Sequence, residues 1–158
     1  MDHHGLRKLV PFIAFVFFAL SFGDEAFSAA SPSSVVGTLR KVSGTAAVVR
    51  QDQLLPAKAG MEIQANDLLR TGSDGSIGVV FQDDTVLSLG PGSELVIDEF
   101  VYAPREGKLS LVLRMMKGTA VYLSGLIAKL APESVQFVTP SASIGVRGTK
   151  FAVKVEER

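Results

Sequence analysis

The chain of 158 residues has no cysteine, no tryptophan and two histidines, and its formal charge is zero. Each shortage removes a class of behaviour. Without cysteine no disulfide can staple the fold, so stability must come from an apolar core alone, and no lipid can attach at a thiol. The histidines are His3 and His4. Further along, a serine or threonine nucleophile would find no histidine to act as its base. A balanced charge points neither to nucleic acid nor to an anionic membrane surface as partner. Past the N-terminus, no segment of 10–12 residues or more carries a helical apolar period, which disfavours a parallel α/β fold because such folds need crossover helices.

One long apolar run is present. Leu9 to Phe22 spans 14 residues, preceded by Arg7 and Lys8 and closed by Asp24 and Glu25. Ser28-Ala29-Ala30 then supplies small residues before Ser31-Pro32. A basic start, an apolar centre and a small-residue exit form the secretory pattern. Crossing the hydrocarbon needs about 20 apolar residues, more than this run provides. Met1–Ala30 therefore reads as a signal peptide cleaved between Ala30 and Ser31, and an uncleaved N-terminal anchor is the alternative. The expected organisation is a signal peptide at 1–30, a disordered leader at 31–34, a β domain at 35–155 and an exposed tail at 156–158. Both histidines leave with the signal. The remainder stays near charge balance and is long enough to bury a core unaided.

Beyond the leader, short apolar-alternating runs are punctuated by turn residues. Val35 to Val42 and Thr45 to Arg50 read as strands about Ser43-Gly44, and Gln51-Asp52-Gln53 as a polar turn. Leu54 to Ala65, with Pro56 and Gly60, reads as a loop holding one short strand near Met61-Ile63. Asp74-Gly75 is a hairpin-turn signal, since both residues tolerate positive φ. Ile77, Val79 and Phe81 then share one face, as do Leu87 and Leu89, and Leu95 and Ile97 point inward. Lys108 to Arg114 alternates through Leu109, Leu111 and Leu113. Ser124 to Leu130 fits either a helical turn or a strand with a glycine bulge. Val135 and Phe137 form a strand before Thr139-Pro140, and Phe151, Val153 and Val155 alternate with Lys150, Ala152 and Lys154 in the last one. A Gly-Thr pair introduces three of these strands, at Gly44, Gly118 and Gly148, and the unequal intervals argue against a fixed-period array. The class is all-β: about ten short strands in one domain, arranged as a two-sheet sandwich or a short irregular β-solenoid.

Several pieces together resemble the FecR domain family, named for a regulator whose periplasmic part relays iron-citrate transport to a cytoplasmic sigma factor. The pieces are Asn66-Asp67-Leu68-Leu69-Arg70-Thr71-Gly72, Gly75-Ser76 with the strand to Phe81, and Asp83-Asp84-Thr85-Val86-Leu87-Ser88-Leu89. Leu111, Lys117-Gly118, Thr139-Pro140 and Val146-Arg147-Gly148-Thr149-Lys150-Phe151 complete the set, which spans about 35 to 155. The family's regulators join a cytoplasmic helical piece, a membrane helix and the periplasmic domain. Here eight residues precede the apolar run and the chain stops just after its Val-Arg-Gly-Thr strand. The resemblance thus implies the domain without direct sigma-factor control: an exported, non-catalytic module for contact or sensing in the envelope, periplasmic or secreted.

Candidate chemistry is sparse. Asp83-Asp84, with Asp67 and Asp74, could serve as paired carboxylates or a calcium site, yet they lack the alternate spacing of a calcium loop. Turn residues facing solvent are the simpler reading. Arg147, Gly148, Thr149 and Lys150 are the candidate partner contact, an anion-binding corner with exposed backbone N–H groups. The structural reading has Arg147 bonding across the sheet while Gly148 makes a bend. Phe137, Phe151 and Tyr122 read as core, and Met115-Met116 as core or as an adaptable contact surface. No catalytic, cofactor or metal residue is assigned. The expected partner is an envelope protein or surface polymer, with no nucleic acid, and with membrane contact only during export. A structural subunit of an envelope assembly and a carboxylate-dependent hydrolase are the alternatives.

Overall fold

The computed structural model describes residues 34–148 and 150–156. The expected signal peptide, its cleavage site Ala30/Ser31 and Thr149 lie outside the described residues. The strands, in chain order, are β1 (Val35–Ser43), β2 (Ala46–Arg50), β3 (Gln53–Pro56), β4 (Glu62–Gln64), β5 (Leu68–Thr71) and β6 (Ser76–Phe81). There follow β7 (Val86–Leu89), β8 (Glu94–Ala103), β9 (Lys108–Leu123), β10 (Val135–Val138), β11 (Ser143–Gly145) and β12 (Lys150–Val155). A helical turn, α1 (Leu126–Leu130), and a 3-10 turn at Pro132–Ser134 separate β9 from β10.

These strands join into one strongly curled sheet, a half-barrel, in the order β3-β2-β5-β8-β9-β7-β6-β1-β4. β10 and β12 attach to the other edge of β9, and β11 pairs with β10. The expectation of a two-sheet sandwich is overturned by β9. This strand is 16 residues long and serves both halves. Its first part, Lys108 to Lys117, pairs with β8, whereas Ala120 to Leu123 pairs with β7. The two layers are therefore hydrogen-bonded through one strand, and the sheet bends around where a sandwich would separate. A stacked coil is overturned as well: every ladder is antiparallel except β9 with β10.

The bend in β9 falls at Gly118, whose φ is +93°. An L side chain adopts that conformation only with strain, and glycine does so freely. A Cβ there would lie 2.5 Å from the Ser93 Cα. The Ser93 hydroxyl accepts the Thr119 N–H at 3.0 Å and donates to the Thr119 carbonyl at 3.1 Å, fixing the corner. Gly44-Thr45 repeats the device. Gly44 has φ +62° and is packed against the Asp74 carbonyl. Thr45 N–H donates to Asp74 Oδ1 at 3.2 Å, and its carbonyl accepts the Gly72 N–H at 2.8 Å.

The turn readings divide. Gln51 and Asp52, with φ of 48° and 62°, make the two-residue connection of the β2–β3 hairpin, in which Arg50 faces Gln53. Asp74-Gly75 does not close a hairpin. β5 pairs with β2 and β8, while β6 pairs with β1 and β7, so this turn carries the chain across the curl. β3 falls where a loop is expected. Pro56 removes one backbone donor, which an edge strand tolerates.

Period-two alternation fills a single core. Ile77, Val79 and Phe81 of β6, Leu87 and Leu89 of β7, and Leu111, Leu113 and Met115 of β9 are all buried. Burial of this kind contributes about 25 cal/mol per Å² of apolar surface and dominates the stability of a disulfide-free fold. Phe81 stacks on Phe100 at 5.6 Å. Phe151 stacks on Tyr122 at 5.0 Å and meets Phe137 edge-on at 5.6 Å, tying β12 and β10 to β9.

Candidate functional site

Two acids that the sequence suggests as solvent-facing turn residues are buried: Asp67 is 1 % exposed and Asp83 0 %. Each is consumed by its own surroundings. Arg50 forks onto Asp67, Nε to Oδ1 at 2.8 Å and Nη2 to Oδ2 at 2.7 Å, and the Gln64 N–H donates to Oδ2 at 2.8 Å. Hydrogen bonding to Asp67 raises the Arg50 guanidinium further above its ordinary range. The same Arg50 Nη2 donates to the Glu62 carbonyl at 3.0 Å, so one ion pair clasps β2, β4 and the entry to β5.

Asp83 organises the other end of the sheet. Its Oδ1 accepts the Thr85 N–H at 3.1 Å, and its Oδ2 accepts the Thr85 hydroxyl at 2.8 Å and the Ile127 N–H at 3.1 Å. The Asp83 carbonyl takes the Leu126 N–H at 2.7 Å. Helix starts leave unpaired N–H groups. No cap comes from within α1, so a carboxylate from the β6–β7 turn supplies it. Gly125 allows this approach, since a Cβ there would sit 2.3 Å from both the Asp83 carbonyl and the Thr85 nitrogen. These acids hold the fold. Asp84 takes the positive φ of the turn, at 65°, and is exposed.

A wide concavity lies elsewhere. On the outer edge of β9, pairing with β10 ends at Arg114 and pairing with β12 begins at Gly118. A groove of about 770 Å³ opens at this gap. Met116, Ile144, Val153 and Val155 supply apolar lining, the Thr139–Ala142 turn forms one wall, and Glu94, Lys117, Lys154 and Glu156 stand around it. Met115 is buried in the core, and its neighbour Met116 is 38 % exposed in the groove, so the adjacent methionines divide the two roles their type suggests. The charges are paired: Lys154 Nζ with Glu156 Oε1 at 2.8 Å, and Arg70 Nε with Glu94 Oε1 at 3.0 Å. Lys154 holds the Glu156 carboxyl below its usual range. Among the described residues, no cluster of three His, Asp or Glu side chains is placed to hold a metal ion.

The expected contact residues sit at the opposite end of β12 from this groove. Arg147 and Gly148 are exposed in the link from β11 to β12, and Lys150 is exposed at the start of β12. Gly148, with φ +138°, makes the anticipated bend, and its carbonyl accepts the Ser124 hydroxyl at 2.5 Å. The reading in which Arg147 bonds across the sheet is not met: among the described residues no hydrogen bond or ion pair to it is formed. Sequence reasoning missed the groove because its lining comes from four separated segments. The one signal for it was Met116, an apolar residue on the polar phase of a strand.

No curated protein and no solved structure matches the chain. A match to the family described as FecR protein spans residues 67–158. It opens at the buried Asp67 and takes in the Asp83 cap, the Gly118 corner and the groove. β1 to β4 precede it yet belong to the same sheet, through β1 with β6 and β2 with β5. With more than half its length in that match, this chain belongs to the FecR family.

Proposed function

We propose that the chain is an exported binding and sensing module of the cell envelope, acting by contact and without catalysis of its own. Export rests on the N-terminal signal pattern, with cleavage after Ala30 and release to the periplasm or beyond. The observation that carries contact as the mode of action is the groove on the outer edge of β9. There an apolar floor lies beside strand edges whose backbone groups can bond to an extended segment. The favoured occupant is an envelope protein rather than a surface polymer, because Met116, Ile144, Val153 and Val155 offer apolar contacts that a sugar chain uses poorly. Membership of the family supports the envelope setting. The sigma-factor-binding part of the family's regulators is not included in this proposal.

The hydrolase reading has less support. Glu94 and Glu156 both border the groove, but glycoside hydrolysis needs one carboxylic acid held protonated by a raised pKa. Glu156 is shifted the other way by Lys154.

A photoreactive residue in place of Met116, activated in intact cells, tests the proposal. An adduct with one envelope protein, absent when the reactive group replaces Leu54 on the far edge strand, is the expected result. Equal labelling from both positions, or adducts with cytoplasmic proteins alone, would sink it. N-terminal sequencing of the periplasmic protein should begin at Ser31.

A further inference from the structure

Among the described residues four strands have one ladder each: β3, β4, β11 and β12. Three of these edges are blunted. β3 carries Pro56, and β4 and β11 have three residues each. Short length and proline are the usual ways to stop a sheet from growing. β12 has six residues, no proline and an unbroken ladder to β9 from Lys150↔Leu123 to Val155↔Gly118. Its exposure alternates through to Glu156: Lys150, Ala152, Lys154 and Glu156 outward, with Phe151, Val153 and Val155 half-buried.

We propose that β12 pairs with β12 of a second copy of this chain, antiparallel and centred on Val153, extending one curled sheet across a two-fold axis. The partner is chosen by charge. A two-fold contact between identical edges must be antiparallel, and matching the faces leaves three central registers, on Ala152, Val153 or Lys154. Centring on Ala152 sets Lys150 opposite Lys154 of the second copy. Centring on Lys154 sets that residue opposite itself. Like charges directly opposed destabilise a ladder. Centring on Val153 removes both clashes. Lys150 then faces Glu156 of the second copy, twice over by symmetry, Lys154 faces Ala152, Phe151 faces Val155, and Val153 faces its counterpart. The lysines that would otherwise blunt this edge thereby become the device that fixes its register.

This pairing goes beyond the contact function proposed above, and it also joins two sites that one copy keeps apart. Glu156 borders the groove, whereas Lys150 lies at the other end of β12. In the pair, Lys150 of the second copy stands beside Glu156 and so completes the groove's rim.

The absence of cysteine makes the test clean. The full chain with Val153→Cys, oxidised mildly, should give a covalent dimer through the axis, while Phe151→Cys, four positions from its counterpart, should form no covalent dimer. By sedimentation, the unmodified chain should dimerise reversibly. Lys150→Glu should weaken dimerisation at least about fivefold, since two facing ion pairs become repulsions. The double variant Lys150→Glu with Glu156→Lys should recover most of that loss. Both positions are exposed, so circular dichroism should show the fold unchanged. A chain that stays monomeric at all accessible concentrations overturns the proposal. So does a dimer indifferent to Lys150→Glu, or one that cross-links equally through residues 151 and 153. The groove adduct through Met116 reads the contact function separately.

Discussion

The Ser93 hydroxyl occupies the space that a side chain on residue 118 would need: a Cβ on Gly118 would lie 2.2 Å from Ser93 Oγ. The contact sits where β9 leaves β8 and takes up β7, so the curl of the sheet depends on a missing methyl group. Gly118→Ala would meet the Ser93 main chain as well as a left-handed φ of +93°. The expected loss is about 2 kcal/mol or more, from conformational strain together with overlap that backbone cannot escape. Urea unfolding of the variant checks it. Gly107→Ala is the control, because a Cβ at Gly107 meets nothing within 4 Å although φ is +66°. That variant should lose only the conformational part, about 1 kcal/mol.

Asp83→Ala should release α1. Removing the carboxylate strands the Thr85 N–H and hydroxyl and the Ile127 N–H, three donors in a region closed to water. Buried donors left unpaired cost about 1–3 kcal/mol each, though relaxation limits the sum to about 3 kcal/mol. Hydrogen exchange at Ile127 gives the specific readout. It should accelerate well beyond the change at Val79 in the central β6, and equal acceleration at both sites would show global loosening instead.

The strand inventory was legible because the core-facing residues alternate strictly: Ile77-Val79-Phe81, Leu87-Leu89 and Leu109-Leu111-Leu113 announce their faces without help. The closure of the sheet was not. Alternation says which face is buried but is silent on which strands pair, and Gly118 reads equally well as a bulge between two strands or a bend within one. The turn chemistry misled at Asp74-Gly75 because the residues that favour positive φ also serve as close-packed corner residues. Asp67 and Asp83 looked like surface turns for a related reason. Their partners, Arg50 and the α1 N-terminus, are 17 and 44 residues away, beyond the reach of any local pattern. The groove was invisible for the same cause.

Tyr122→Phe should stabilise the protein. Among the described residues the buried Tyr122 hydroxyl makes no hydrogen bond of normal geometry, although the Thr85 and Ser124 side chains lie near it. An unpaired buried hydroxyl costs about 1–3 kcal/mol, so deleting it should add about 1 kcal/mol at neutral pH. Burial pushes this phenol up, against a smaller opposing pull from the Thr85 and Ser124 hydroxyls, and the nearby Asp83 carboxylate adds to the rise. The unfolded phenol ionises near pH ~10 while the folded one stays protonated, so the wild type should lose stability as the pH climbs above that value. The advantage of Tyr122→Phe should therefore widen in alkali. Thermal melts at pH 7 and at pH 10.5 decide the matter, and a destabilised variant at pH 7 would mean that the hydroxyl is paired after all.

Asp67→Asn keeps the shape of the side chain but removes the charge that faces the Arg50 fork. Arg50 is partly solvated, with 25 % of its side chain exposed, so the loss should fall below that of a fully buried pair, at about 2–3 kcal/mol. Added salt distinguishes this pair from the exposed ones. The gap between wild type and Asp67→Asn in urea should persist at 1 M chloride, where screening acts within about 3 Å and weakens surface pairs such as Lys108 with Glu106. If the gap closes with salt, the Arg50 fork is open to solvent.

At the Gly44 corner, the Thr45 N–H holds the Asp74 carboxyl below its ordinary value of 3.8. A depressed acid favours the fold when ionised, so its contribution is present above the unfolded pKa and is lost as pH falls through the lower folded value. Asp74→Asn retains an oxygen acceptor for Thr45 while removing the charge. The difference in melting temperature between wild type and Asp74→Asn should be constant from pH 5 to 7 and should shrink below pH ~4. Carboxyl resonances of Asp74 should titrate below the ordinary aspartate value. A difference that holds unchanged into strong acid would assign the effect to packing against Gly44, leaving the charge no part in the corner.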